Sequence, residues 1–477
     1  MPGEPSTHVR QTSDRNKGKS RTFLLDKGGF LPSGESLGIS IDGPACYSLQ
    51  MIRSYLPRCV ASRGLQSLAA IFLPGLLLAA GSSYDWPQFL GPSRDGVYHG
   101  PPLASRWPQA GPPVLWKREV GAGFSGPAIQ GDRLILFHRI EDRAVVECLE
   151  ASSGRRLWQA DHPTDYRDDF GFDAGPRATP SIAEGRVFTF GAEGRLSSWD
   201  LGTGKLLWSV DTATEFGTPK GWFGRACSPL VEDGLVIIVL GGQAGAGIAA
   251  FDASEGTLQW KSTQDEAGYA SPIAANLQGH KMVIALTREA LVGLAPADGH
   301  VRFRHPWRPR ANASVTAATP LVIEDQVFIS ASYGLGASLL RRTSTGLEAV
   351  WSSNDALSSH YATSVAHGGL LYGWHGRQEQ GCDLRCVELQ SGRVRWTESG
   401  LKAGTVTLAA DELLVLTEQG ELIRAQASPL GFKPTARAQV LPAGVRAHPA
   451  LANGQFFARS PRLLVCLDLG KDPGNGP

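Results

Sequence analysis

The chain has 477 residues, 42% of them hydrophobic and 19% charged, with 46 Lys and Arg against 45 Asp and Glu. A net charge of +1 excludes an overall electrostatic attraction to nucleic acid or to an anionic membrane. With 57 Gly in no collagen period and 12 Trp against 3 Met, the composition excludes a disordered chain, a coiled coil and a polytopic membrane protein. A turn-rich β protein remains.

Residues 1–50 are polar and turn-rich, without a sustained helical or strand period, and are expected to be disordered or untranslated. From Met51 the pattern changes. Arg53, Arg58 and Arg63 precede an apolar run from Leu65 to Ala80, and Ala79-Ala80-Gly81 supplies small residues for cleavage. That order predicts a secretory signal peptide over 51–81, with translation starting at Met51 and an exported protein of the periplasm or cell envelope. Pro74 and Gly75 interrupt the run, which is short for a membrane span, so no transmembrane span is expected in the mature chain. Residues 82–112 are read as an N-terminal arm and 471–477 as a tail.

Between residues 113 and 470 one unit recurs: a small residue, then Ser or Thr, then often Pro, opening an apolar run. It appears as Ser125-Gly-Pro127, Ala178-Thr-Pro180, Cys227-Ser-Pro229, Ala270-Ser-Pro272, Ala318-Thr-Pro320, Ala362-Thr-Ser364 and Ala447-His-Pro449, with a degenerate Gly404-Thr-Val406. The eight starts lie 53, 49, 43, 48, 44, 42 and 43 residues apart. A second unit follows each: an acidic or polar pair, a Gly turn, and an aromatic three or four residues on. Asp200-Leu-Gly-Thr-Gly204 with Trp208 and Asp252-Ala-Ser-Glu-Gly256 with Trp260 are examples. Hairpin signals such as Glu184-Gly185, Asp233-Gly234 and Asn453-Gly454 fall in between.

Each repeat therefore holds four short β runs and no helical period, which predicts a propeller blade. The fold expected is an all-β, eight-bladed β-propeller of four-stranded antiparallel blades. The last repeat supplies only three strands, while Val114-Leu-Trp116 precedes the first start. That N-terminal strand is expected to complete the last blade, leaving no exposed sheet edge at the closure. Trp116, Trp158, Trp208, Trp260, Trp351 and Trp396 are read as structural residues docking blade on blade. Cys148, Cys227, Cys386 and Cys466 occupy positions held by small residues in other repeats and are read as packing residues. On one strand, Cys382 and Cys386 would lie ~13 Å apart, too far for a disulfide.

The alternation Ala-Ser/Thr-Pro, Asp-Gly, Leu-Asp-x-x-x-Gly-x-x-x-Trp resembles the pyrroloquinoline-quinone (PQQ) repeat over almost all of residues 113–470. Longer stretches, among them Trp86-Pro-Gln-Phe-Leu-Gly-Pro-Ser-Arg-Asp-Gly96, Gly175-Pro-Arg-Ala-Thr-Pro180 and Leu416-Thr-Glu-Gln-Gly-Glu-Leu422, resemble an exported bacterial branch of unassigned activity. The resemblance implies the fold, and two functional alternatives. Some relatives are quinoprotein dehydrogenases holding PQQ with Ca2+; another is a non-catalytic lipoprotein of the outer-membrane barrel-assembly machinery. The dehydrogenases commonly carry two adjacent cysteines, a catalytic Asp and an Asn/Glu calcium shell. No Cys-Cys pair occurs in this chain and that constellation is not evident, so no catalytic and no metal residues are assigned.

Propellers place function on the loops feeding the innermost strands. The residues preceding the eight repeat starts are Phe124, Arg177, Ala226, Tyr269, Ala317, Tyr361, Ala403 and Arg446. Arg177, Arg225, Tyr269, His360, Tyr361, Arg446 and His448 are accordingly the candidate site, suited to an envelope protein or a small polar or anionic ligand. Arg177 has an alternative partner in Asp165, Asp168, Asp169 or Asp173 of its own loop. The long loops Asp161–Gly175 and Asp211–Ala226 are further candidates for a partner contact or a cap. A monomeric, non-catalytic binding or scaffolding module is the reading preferred over a PQQ-dependent oxidoreductase.

Overall fold

The computed structural model describes residues 84–311 and 314–472. The predicted signal peptide, the segment before it and most of the tail lie outside the described residues. Eight four-stranded antiparallel sheets follow one another, their first strands beginning at Ala128, Ser181, Leu230, Ile273, Leu321, Val365, Gly404 and Ala450. They are blades 1 to 8 in that order. First strands of neighbouring blades approach one another and line the axis. Blade 8 is closed as the three-strand count requires: Val114–Glu119 pairs antiparallel with Leu463–Asp468, with Trp116 opposite Cys466. In five of the eight hairpins between first and second strands both turn residues carry positive φ, for example Glu184 (51°) and Gly185 (71°). Such mirror-image turns match the strand twist, hence Asp, Asn and Gly in these pairs.

Two periodic interactions hold blade to blade. At the axis, the Ser or Thr of five consecutive repeat starts accepts a backbone N–H from the blade before it. Gly126 donates to Thr179 Oγ1 (3.1 Å), Thr179 to Ser228 Oγ (2.9 Å) and Ser228 to Ser271 Oγ (2.9 Å). Ser271 then donates to Thr319 Oγ1 (3.3 Å) and Thr319 to Thr363 Oγ1 (3.0 Å). These amides are buried and have no ladder partner at this point, so the hydroxyl meets a need that an apolar residue would leave open.

Further out, the Trp of one blade lies on the glycine turn of the next. Trp208 Nε1 donates to Ala253 O (3.0 Å), and its ring would meet a Cβ on Gly256 at 2.5 Å. Gly256 also has φ +74°, so both sterics and backbone ask for glycine there. Trp116, Trp158, Trp260, Trp351 and Trp396 make the same type of bond to Ala151, Leu201, Pro296, Leu389 and Ser428. A one-residue bulge beside each of these Trp residues aims the ring sideways out of its own sheet. Blade 4 carries Phe303 at this position, under Arg342 of blade 5 (5.2 Å). Blade 7 has no aromatic here. Its junction with blade 8 is bridged by the arm, where Arg424 donates to Ala104 O and Ala104 N to Leu469 O (2.6 Å).

The N-terminal arm packs into the ring. Trp86 bridges to Ile129 of blade 1, and Val97–Tyr98 adds a parallel fifth strand to blade 7. Both contacts fall at the ends of the inner strands, away from the loops that feed them. Between them Arg94, 2% exposed, enters the axis. Its guanidinium donates to Ser228 O (3.2 Å), Pro272 O (2.8 Å), Ser181 Oγ (3.3 Å) and Pro229 O, and its Nε to Gln88 Oε1 (2.9 Å). Burial lowers its pKa to about 9. All five described cysteines are buried and unpaired. Among the described residues, no helix is long and apolar enough to cross a membrane.

The indole docking predicts a position-specific loss. Trp208→Ala is expected to cost about 3–5 kcal/mol in urea denaturation. Its exposed strand neighbour, Leu207→Ala, should stay within about 0.5 kcal/mol. Equal effects at the two positions would contradict the docking account.

Candidate functional site at the channel mouth

The loops entering the inner strands converge on a cavity of about 200 Å³. Seven of the eight residues that precede a repeat start line it: Phe124, Arg177, Ala226, Tyr269, Ala317, Tyr361 and Arg446. Eightfold equivalence explains this, because the same step in each repeat points at the same axis. His360 and His448 join them, and Phe89 of the arm lies edge-on to His448 (5.0 Å). With Arg94 in the axis and Phe89 beside it, the far end of the channel is stoppered. Tyr333, Gln378 and Glu379 complete the lining from hairpins joining second and third strands, a source the repeat alignment did not point to.

The charged groups of this lining are paired within the protein. Arg177 donates to Gly175 O (2.9 Å) and Asp173 O (2.8 Å) and lies 3.4 Å from Asp168 Oδ2, so the loop-acid alternative describes its contacts. Arg446 Nε lies 3.2 Å from Glu418 Oε1, which also accepts the Tyr361 hydroxyl (2.7 Å). With its amide oriented to satisfy both neighbours, Gln378 donates to Glu418 (3.0 Å) and accepts from Arg446 (2.9 Å). Arg377 lies 3.3 Å from Glu379 and over the Tyr333 ring (4.4 Å). Phe124 is flanked by Arg177 (5.7 Å) and Arg446 (5.3 Å).

Arg225 differs from the other candidates. Its guanidinium bonds to Glu193 O (3.0 Å) and Thr218 Oγ1 (2.7 Å), and it lines a second cavity, of about 470 Å³, behind Trp222. Two long loops meet on the rim. Asp211 caps the short helix Thr212–Phe216, accepting from Ala213 and Thr214, and Gly217 (φ 59°) ends it. The chain then brings Trp222 and Phe223 against Phe170 (6.2 and 5.1 Å). Phe170, Phe172 and Trp222 remain 52%, 49% and 40% exposed.

Burial also sets the protonation of the histidines. It lowers the His448 pKa to about 4, and it lowers His360 too, outweighing the opposing Glu379 carboxylate, with the Arg377 and Arg446 charges acting in the same direction as burial. Burial and the neighbouring Glu418 carboxylate raise Tyr361 well above the usual phenol range. At neutral pH the mouth therefore presents uncharged imidazoles and phenols.

These features define an eight-bladed propeller of PQQ-like repeats with a stoppered channel. A family model described as outer membrane protein assembly factor BamB matches residues 142–398, over half the chain, and the chain belongs to that family. The quinone-type alcohol dehydrogenase subunit of Gluconacetobacter polyoxogenes is 31% identical over 126 residues, 25% of this chain and 17% of that protein. The chain thus matches about a sixth of that relative's length. The BamB structure from Moraxella catarrhalis superimposes with a TM-score of 0.56 at 16% identity, over 75% of this chain and 99% of that one. The quinohemoprotein alcohol dehydrogenase from Comamonas testosteroni gives 0.59 at 15%, over 83% and 82%. At these identities the two structures share the fold.

The unfolded chain protonates His448 near pH 6.5 and the folded chain near 4, so the unfolded state binds more protons between those values. Stability is complete above pH 6.5 and falls as the pH drops toward 4. His448 alone is expected to remove about 2 kcal/mol by pH 5, and His448→Gln should flatten the decline of the urea midpoint. An unchanged slope in the variant would contradict the buried neutral imidazole.

Proposed function

We propose that this protein is a non-catalytic binding module of the bacterial cell envelope, engaging a ligand or partner at the channel mouth. One observation carries the reading: seven equivalent positions converge on a blind cavity whose cations are each matched by an internal acid. Such a site is preorganised to bind, since its side chains are held before the ligand arrives. Membership in the BamB family supports the envelope setting, as do the arginine-led apolar run and small-residue site at 51–81.

The second reading, a PQQ-dependent oxidoreductase, is favoured by the likeness to quinone-type dehydrogenases. The lining does not fit a calcium-held quinone. Calcium takes six to eight oxygen ligands, and the carboxylates here, Glu379 and Glu418, are already engaged by Arg377 and Arg446. Among the described residues no group of three or more His, Cys, Asp or Glu is placed to hold a metal ion. A quinone with three carboxylates would also have to displace the internal acids from their arginines.

With PQQ and Ca2+ supplied, the purified protein is expected to show no dye-linked oxidation of alcohols or sugars and no calorimetric PQQ binding. Turnover that depends on both additions would overturn the binding-module reading.

A further inference from the structure

The ligand class follows from what the mouth leaves uncommitted. Resting on the reading of the mouth as a binding site, we propose that it takes a neutral saccharide, with one pyranose ring in the cavity and adjoining rings on the aromatic rim. The first argument is charge. Arg177 with Asp168, Arg446 with Glu418 and Arg377 with Glu379 are closed pairs, and His448 is neutral. A charged ligand that opened Arg177 from Asp168, or Arg446 from Glu418, would strand a largely buried partner, which is costly. A neutral ligand leaves all three intact.

The second argument is the free hydrogen-bonding capacity. Tyr269 Oη accepts from Trp222 N (3.0 Å) and Phe223 N (3.2 Å), which leaves its own proton to donate. The Tyr361 hydroxyl donates to Glu418 and so keeps an acceptor lone pair. Glu379 Oε2 is 4.0 Å from His360 Nδ1 and partly open to solvent, and it accepts. Donors and acceptors are thus offered side by side with no net charge. Vicinal hydroxyls, each able to donate and accept, match such a set.

The third argument is shape. The axial faces of a pyranose are C–H surfaces that lie on aromatic rings, while its edge carries the hydroxyls. A cavity of about 200 Å³ is below the ~300–1,000 Å³ of drug-sized sites and suits one ring. From it a file of aromatics leads outward: Tyr269 to Phe223 (5.9 Å), Phe223 to Phe170 (5.1 Å) and Phe170 to Trp222 (6.2 Å). Exposed aromatics contiguous with a cavity mark a binding surface, and this file offers successive faces for a short chain of sugar rings.

The test is calorimetry on the mature protein with glucose, N-acetylglucosamine, maltotriose and chitotriose. At least one trisaccharide is expected to bind with a Kd of about 1 mM or tighter, at least about tenfold more tightly than its monosaccharide. Phe170→Ala and Trp222→Ala, both at exposed positions, should remove that tenfold gain, and Tyr269→Phe should weaken both sizes about tenfold. Absence of heat with all four sugars, or binding unchanged in all three variants, would overturn the proposal. N-acetyltryptophanamide and succinate are titrated in parallel. If either binds in a Tyr269-dependent way and no sugar does, only the saccharide assignment falls. If no probe of either kind binds, the binding-site reading falls with it.

Discussion

An indole lying on a glycine sets the seam at five of the eight blade junctions, and the stacking of the ring depends on that repeated contact. A four-stranded sheet is apolar on both faces and cannot be stable alone. Stacking covers the faces only if each blade meets the next at a fixed angle. The bulge beside the Trp turns its ring out of the parent sheet, the positive-φ glycine lets the neighbouring backbone come close, and the indole N–H satisfies a carbonyl of that turn. Near the axis the Ser/Thr hydroxyls tie the same blades at a second radius. Two attachment points at different distances from the axis fix both spacing and tilt.

That geometry also produces the site. Because the blades are equivalent, the residue entering each inner strand faces the axis, and the mouth becomes a composite of many distant segments. The arm then makes the channel single-ended. Arg94 spends its donors on carbonyls and a hydroxyl from blades 2, 3 and 4, so it stoppers the axis and ties three blades together. The cavity above it is shallow and closed below, an arrangement suited to holding a ligand rather than passing one.

Much of this was legible in the sequence because it repeats. The period near forty-five residues, the three-strand last repeat and the spare strand at Val114-Leu-Trp116 lead to eight blades closed by the N-terminal strand. The positions facing the axis were legible for the same reason, with Ala403 alone absent from the cavity lining. What happens once was not legible. Arg94 lies before the first repeat, where no period gives it a place, and only the convergence of acceptors from three blades reveals its burial. Arg225 stands one residue before the repeat-equivalent Ala226 and does not enter the mouth; its guanidinium bonds Glu193 O and Thr218 Oγ1 instead. Tyr333, Gln378 and Glu379 sit on hairpin tips of unequal length, where the repeat gives no register.

Hydrogen exchange read by mass spectrometry tests the closed ring most directly. At the closure, segment 114–119 has segment 463–468 as its one strand partner, and Trp116 seals it onto blade 1. If the seam is as strong as the covalently continuous ones, both segments exchange only with global unfolding, at the same free energy as the central strands of blades 2 to 6. Exchange of these two segments through a separate opening, several kcal/mol below the global value, would contradict the account.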